Sequence, residues 1–220
     1  MRQEDQGPFT RNRPFDAKRT CLLLVDVQNY VWNADVARRL PYFDSQVREV
    51  VLPNLRRLID AFRAVGAEVM YTVIENLTKD GRDRSLDYKL SDFFVGKGSW
   101  EAKVLDIVAP GDDDIVLPKT SSGVFNSTNI EYLLRNMGIE TLVVTGFLTD
   151  QCVDHTIRDA ADRGFYPICI GRCLREPFPN PPRECAQGIR RLLPHDDDRG
   201  DAERDRGRPC RNRSSISLRP

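Results

Sequence analysis

Cys21-Leu22-Leu23-Leu24-Val25-Asp26 is a run of five apolar residues that stops on a carboxylate. A strand half-exposed to water alternates apolar and polar residues. One with no polar position has to be covered on both faces, as in a parallel sheet between two layers of helices. The run is far too short to cross a bilayer. Its closing aspartate sits where ligands gather in open α/β sheets, beyond the carboxyl end of a strand.

Working outward, strand and helix patterns alternate. Val47, Val50, Val51, Leu55, Leu58, Ile59, Phe62 and Val65 follow helical spacing, with Pro53 marking a start or a kink and Gly66 the stop. Residues 67–74 form a second strand, and 75–98 a polar irregular stretch of the length usually reserved for function. Ile115–Lys119 is a short third strand that ends in a lysine. A helix over 130–137, a strand over 141–146, a helix over 150–163 and a strand over 166–170 complete the pattern. The alternation predicts a three-layer α/β/α sandwich around a mostly parallel, Rossmann-like sheet with right-handed crossovers. Neither a Gly-x-Gly-x-x-Gly fingerprint nor a Walker loop is present, which argues against a nucleotide-binding module.

The domain is expected to span residues 19–170, after a polar arm at 1–18. Residues 171–220 differ in composition, with twelve arginines and seven prolines. They show no helical or alternating period and resemble a shifted reading frame, so disorder is expected there. Basic and acidic residues balance at 33 each, which excludes a chain that binds nucleic acid or membrane through its overall charge. The six cysteines lack paired metal-ligand spacing, and residues 1–18 contain no apolar secretory segment. Free thiols and a cytoplasmic location are expected.

The chemistry concentrates in Gly146-Phe147-Leu148-Thr149-Asp150-Gln151-Cys152-Val153, a passage from buried strand into helix. Thr149 is expected to cap that helix and put Cys152 in its first turn, where free N–H groups and the helix dipole push a thiol toward thiolate. Asp26 and Lys119 end strands of the same sheet, so parallel strands bring them to the edge that carries Cys152. The carboxylate is a candidate general base, and the ammonium a group that favours charge on both neighbours. Taken singly, each has a plain alternative: a small buried cysteine, a turn-capping aspartate, a solvated strand end. His155 reads as a helix-surface residue.

Leu24-Val25-Asp26-Val27-Gln28, then Leu117-Pro118-Lys119 with Ser121, Phe125 and Thr128, then the Cys152 segment continued by Arg158-Asp159-Ala160, resemble in order three motifs of the isochorismatase-like cysteine hydrolases. The resemblance covers residues 18–170 and implies a catalytic triad of Asp26, Lys119 and Cys152. It also implies a cis peptide at Phe147–Leu148 and an oxyanion hole from the N–H groups of Leu148 and Cys152. Tyr71–Thr78, with Asp80-Gly81-Arg82-Asp83, is most similar to the biuret hydrolase and ureidoacrylate amidohydrolase branch. Gln28, Glu75 and Phe147 are then candidate substrate contacts.

The activity that this resemblance implies is a cysteine-dependent hydrolysis of a small amide or ureido compound through a thioester, releasing ammonia or an amine. Neither His155 nor His195 falls where the family's nicotinamidases carry metal ligands, so no metal and no cofactor are expected. The expected partners are the small-molecule substrate and further copies of the chain in a homo-oligomer, with neither nucleic acid nor membrane. The alternative is a catalytically impaired isoform that acts as an oligomerisation or interaction subunit.

Overall fold

A computed structural model of the chain describes residues 14–174. Most of the arm expected over 1–18, and the tail beyond residue 174, lie outside the described residues. Five strands, β1 (Thr20–Val25), β2 (Glu68–Ile74), β3 (Ile115–Lys119), β4 (Thr141–Gly146) and β5 (Tyr166–Leu174), form one parallel sheet in the order β3-β2-β1-β4-β5. The chain therefore starts in the middle, builds outward to β3, then returns to lay β4 and β5 on the other side. The reversal of direction falls between β1 and β4.

The uninterrupted apolar run of β1 has its reason in the two cores. Leu22 and Leu24 face the layer of α2 (Pro41–Gln46) and α3 (Leu52–Ala64), packing with Phe43, Leu55 and Ile59. Cys21, Leu23 and Val25 face α5 (Val124–Ser127), α6 (Ile130–Asn136) and α7 (Asp154–Asp162), packing with Phe125, Leu134 and Ile157. All six residues of β1 are buried, as the pleat requires of a strand covered on both sides. The fold is the expected α/β/α sandwich. A further helix, α1 (Ala34–Arg39), lies ahead of α2 and is capped by the Asn33 side chain.

Pro53 lies in the first turn of the main helix α3, as expected, and α2 runs into that helix through a π-helical turn at Val47–Val51. Proline has no N–H, and its ring clashes with the carbonyl four residues back, so the ladder just before it widens to i→i+5. Two other expectations on elements need correcting. The stretch 75–98 is not wholly irregular. It contains α4 (Leu86–Leu90), one turn that Ser85 caps by accepting from the Tyr88 N–H. Lastly, the fifth strand, expected over 166–170, continues to Leu174, which pairs with Gly146 across a bulge.

Candidate active site

Asp26, Lys119 and Cys152 converge at the carboxyl edge of the sheet, where β1, β3 and β4 end. The backbone N–H of Asp26 still donates to the Thr72 carbonyl, at 3.0 Å, so the ladder holds the residue in register with β2. Its φ is +55°, a left-handed conformation that aspartate tolerates better than bulkier residues. The chain thereby turns out of the sheet. Lys119 is the last residue of β3, paired with Ile74.

Gly146 makes the approach of β4 possible. It has φ of +115°, and a Cβ there would lie 2.0 Å from the Val25 carbonyl oxygen. No side chain fits between β1 and β4 at that point, the last pair before Asp26. After it comes a cis peptide at Phe147–Leu148, then a π-helical turn at Thr149–Val153 that leads into α7. Thr149 is the first residue of that turn, not its cap; Leu148 holds the capping position and offers no side-chain bond. The N–H groups of Gln151 and Val153 both donate to the Leu148 carbonyl.

The Lys119 ammonium reaches the Tyr88 hydroxyl at 3.0 Å, the Ser121 carbonyl at 2.9 Å and Cys152 Sγ at 3.3 Å. Asp26 Oδ2 lies 2.9 Å away as its ion-pair partner. Both charged groups are fully buried. Thr72 Oγ1 donates to Asp26 Oδ1 at 3.3 Å, and the carboxylate also interacts with the Cys152 thiol. A carboxylate in contact with a thiol, beside an ammonium that both share, is an arrangement suited to moving a proton from thiol to carboxylate.

Burial dominates the electrostatics and corrects one expectation. It pushes the Asp26 carboxyl above its ordinary 3.8, against the opposing charge of Lys119. It also pushes the Cys152 thiol up, assisted by the charge of Asp26; Lys119 and the Ser122 hydroxyl pull the other way without cancelling it. Burial thus favours the neutral thiol of Cys152 over the thiolate that its position suggested, because desolvation of the charged form outweighs its two donors. Burial alone would lower Lys119, but the charge of Asp26, with Cys152 and the Tyr88 hydroxyl beside it, outweighs it and holds the ammonium above its usual value.

A cavity of about 160 Å³ opens onto Asp26 and Cys152. Its walls include Tyr30, Leu40, Phe43, Tyr88, Phe93 and Phe147. Phe147 is fully buried, edge-on to Phe43. Of the other expected substrate contacts, Gln28 is committed elsewhere. Its Nε2 donates to the Ile74 and Glu101 carbonyls, each at 3.0 Å, and its Oε1 accepts from the Ile74 N–H. Buried and fully bonded, it ties the end of β2 to the loop above it. Glu75 also stands outside the cavity lining, where it accepts from the Gly98 N–H at 2.7 Å.

Two residues at the site carry little signal in the sequence. Tyr88 is 3.7 Å from Cys152 Sγ and stacks on Phe93; the Ser85 cap before it is its one local signal. Ser122 donates to Sγ at 3.6 Å and lies 3.1 Å from His155 Nδ1, so the exposed helix histidine reaches toward the nucleophile through one hydroxyl. Among the described residues, no three His, Cys, Asp or Glu side chains gather as a metal site would need, and no helix is long and apolar enough to cross a membrane.

The Isochorismatase domain model matches residues 20–187, beyond the expected domain end. The chain is 36% identical over 131 residues to N-carbamoylsarcosine amidase from Arthrobacter, covering 57% of this chain and 50% of that protein. It therefore spans about half the length of that relative. Ureidoacrylate amidohydrolase RutB from Methylorubrum extorquens is 30% identical over 184 residues, covering 75% of this chain and 73% of that one. Among solved structures, a cysteine hydrolase from Pseudomonas syringae pv. phaseolicola 1448A superposes with a TM-score of 0.65 at 25% identity, covering 74% of this chain and 75% of that one. N-carbamoylsarcosine amidase from Thermoplasma acidophilum has the same fold, with a TM-score of 0.64, at 24% identity over 79% of this chain and 92% of that one.

Proposed function

The chain belongs to the isochorismatase family, and from that premise we propose that it hydrolyses a small amide or ureido compound through a thioester on Cys152. One observation carries the reading: a buried carboxylate and thiol, 2.9 and 3.3 Å from the same Lys119 Nζ, that both line a cavity at the carboxyl edge of the sheet. Asp26, in contact with the thiol, accepts its proton. The sulfur, steadied by Lys119, then attacks the carbonyl carbon.

The oxyanion that forms rests on the N–H groups of Leu148 and Cys152, in an oxyanion hole whose donors are each worth roughly 3–4 kcal/mol in other hydrolases. Asp26 returns its proton to the departing nitrogen, which leaves as ammonia or an amine. Water, deprotonated by the same carboxylate, cleaves the thioester and restores the thiol. Lys119 keeps its proton throughout. Its role is to keep negative charge tolerable on whichever neighbour carries it. In keeping with the family resemblance, the working form is a homo-oligomer.

The test is ammonia release from a panel of primary amides and ureido compounds, with Cys152→Ser as the control. The variant should lose at least roughly a thousandfold in kcat, since an alcohol buried beside one carboxylate is a far weaker nucleophile than a thiol. A folded Cys152→Ser protein with undiminished turnover would remove the assignment.

A further inference from the structure

The lining of the cavity narrows the substrate, and this inference rests on the hydrolase reading above. We infer that the site takes a primary amide with a compact, uncharged apolar acyl group, about the size of a benzene ring. Val31, Val36, Leu40, Phe43, Phe147 and Leu148 line the cavity together with the ring faces of Tyr30, Tyr88 and Phe93. Asp26 is the one charged side chain in that lining among the described residues, and the Lys119 ammonium beside it neutralises it at 2.9 Å.

A substrate that carries its own carboxylate would have to strip that group of water and leave it unpaired, because the nearest cation already serves Asp26. Ureido groups meet the same difficulty less severely, with several N–H and C=O groups and few partners. Apart from the Asp26 carboxylate and the Leu148 and Cys152 N–H groups that serve the reacting carbonyl, the polar groups on the side chains of that lining are the tyrosine hydroxyls and the Gln151 amide. Tyr88 already accepts from Lys119, and Gln151 is exposed.

Size points the same way. Apolar cavities of about 150 Å³ remain dry and take up benzene, and this one measures about 160 Å³. The reacting carbonyl belongs at the end where Leu148 and Cys152 line the cavity. The acyl substituent then extends between Phe43, Leu40 and Phe93. The sulfur–carbon bond forms as the carbonyl π bond opens, and the carbon–nitrogen bond breaks as ammonia departs with the proton held by Asp26. Water completes the exchange, giving a carboxylic acid and the free thiol.

The experiment compares kcat/KM for benzamide and isobutyramide with that for biuret and N-carbamoylglycine, using wild type, Cys152→Ser and Leu40→Arg. Leu40 is half-buried at the cavity wall, so an arginine there extends into the lining without displacing a core residue. Wild type should prefer the apolar amides at least a hundredfold. Leu40→Arg should lose tenfold or more on benzamide and gain on N-carbamoylglycine. Benzamide binding to Cys152→Ser, followed by saturation-transfer NMR, tests the cavity without any chemistry.

Faster Cys152-dependent turnover of the ureido compounds would overturn the substrate class and leave the hydrolase standing. Benzamide binding with no Cys152-dependent ammonia release from any compound would support the cavity assignment and remove the hydrolase. No benzamide binding at all would overturn the inference directly.

Discussion

At the scale of single residues, the site works through competition between burial and charge. Asp26 is held above 3.8 because it has no water, even with Lys119 alongside. The carboxylate has to be ionised to accept a proton, so kcat/KM should fall as the pH drops through a value above 3.8. Stability responds in the opposite sense. The folded state binds the Asp26 proton more tightly than the unfolded chain, so this group's contribution to stability is fully present below 3.8 and is lost as the pH rises through the folded value. Activity should therefore vanish on acidification while protonation of Asp26 strengthens rather than weakens the fold, and the apparent value belongs to the coupled Asp26–Cys152 pair. A pH–rate profile with circular dichroism on the same samples checks it; activity and fold lost together would refute the separation. Ser122 gives a second prediction. Its hydroxyl lowers the thiol against the upward push of burial, so Ser122→Ala should move the pH dependence of iodoacetamide alkylation to higher pH. Ser122→Thr, which keeps the hydroxyl, should restore it. Equal alkylation profiles would mean that the 3.6 Å contact has no influence on the sulfur.

Elements decide how closely these residues approach. β1 and β4 meet at Val25 and Gly146, where a methyl group would fall 2.0 Å from a carbonyl oxygen and φ is +115°. Gly146→Ala should cost about 3 kcal/mol or more, combining an unfavourable backbone region with displacement of β1. Because Asp26 follows Val25 directly, residual activity should fall even in the molecules that fold. Urea denaturation and specific activity of the soluble fraction measure both effects, and a variant with wild-type midpoint and rate would show that the strands can part. The same elements explain what is legible in the sequence. Asp26, Lys119 and Cys152 each follow an apolar strand, and a parallel sheet aligns strand ends, so local pattern is enough to gather them. Tyr88 cannot be found that way. It lies on a one-turn helix whose Leu86 and Leu90 are exposed, so no amphipathic period announces it, and only tertiary packing brings it to Lys119. Nor does sequence show how Gln28, a candidate contact by family resemblance, is held: its amide bonds two neighbouring backbones.

Across the whole molecule, alternation indicates a parallel sheet, but the strand order 3-2-1-4-5 depends on which helix covers which face, and that information is distributed over both cores. β1 joins those cores physically. Leu22 belongs to the layer with α2 and α3, Leu23 to the layer with α5, α6 and α7, and adjacent positions of one buried strand cannot separate without breaking the ladders to β2 and β4. The two faces should then unfold as one unit. Leu23→Ala, which opens a cavity on the α5–α7 side, should destabilise by about 2–5 kcal/mol. Trp32 packs against the opposite core, while Trp100 is exposed, so the change in tryptophan emission on unfolding reports the face that the substitution does not touch. If the sheet couples the layers, the fluorescence and circular dichroism midpoints in urea should shift down together and stay coincident. A fluorescence midpoint left at the wild-type value while the dichroism midpoint falls would mean that the α2–α3 layer keeps its structure without the other, and that the site at the β1–β4 junction is held by one face alone.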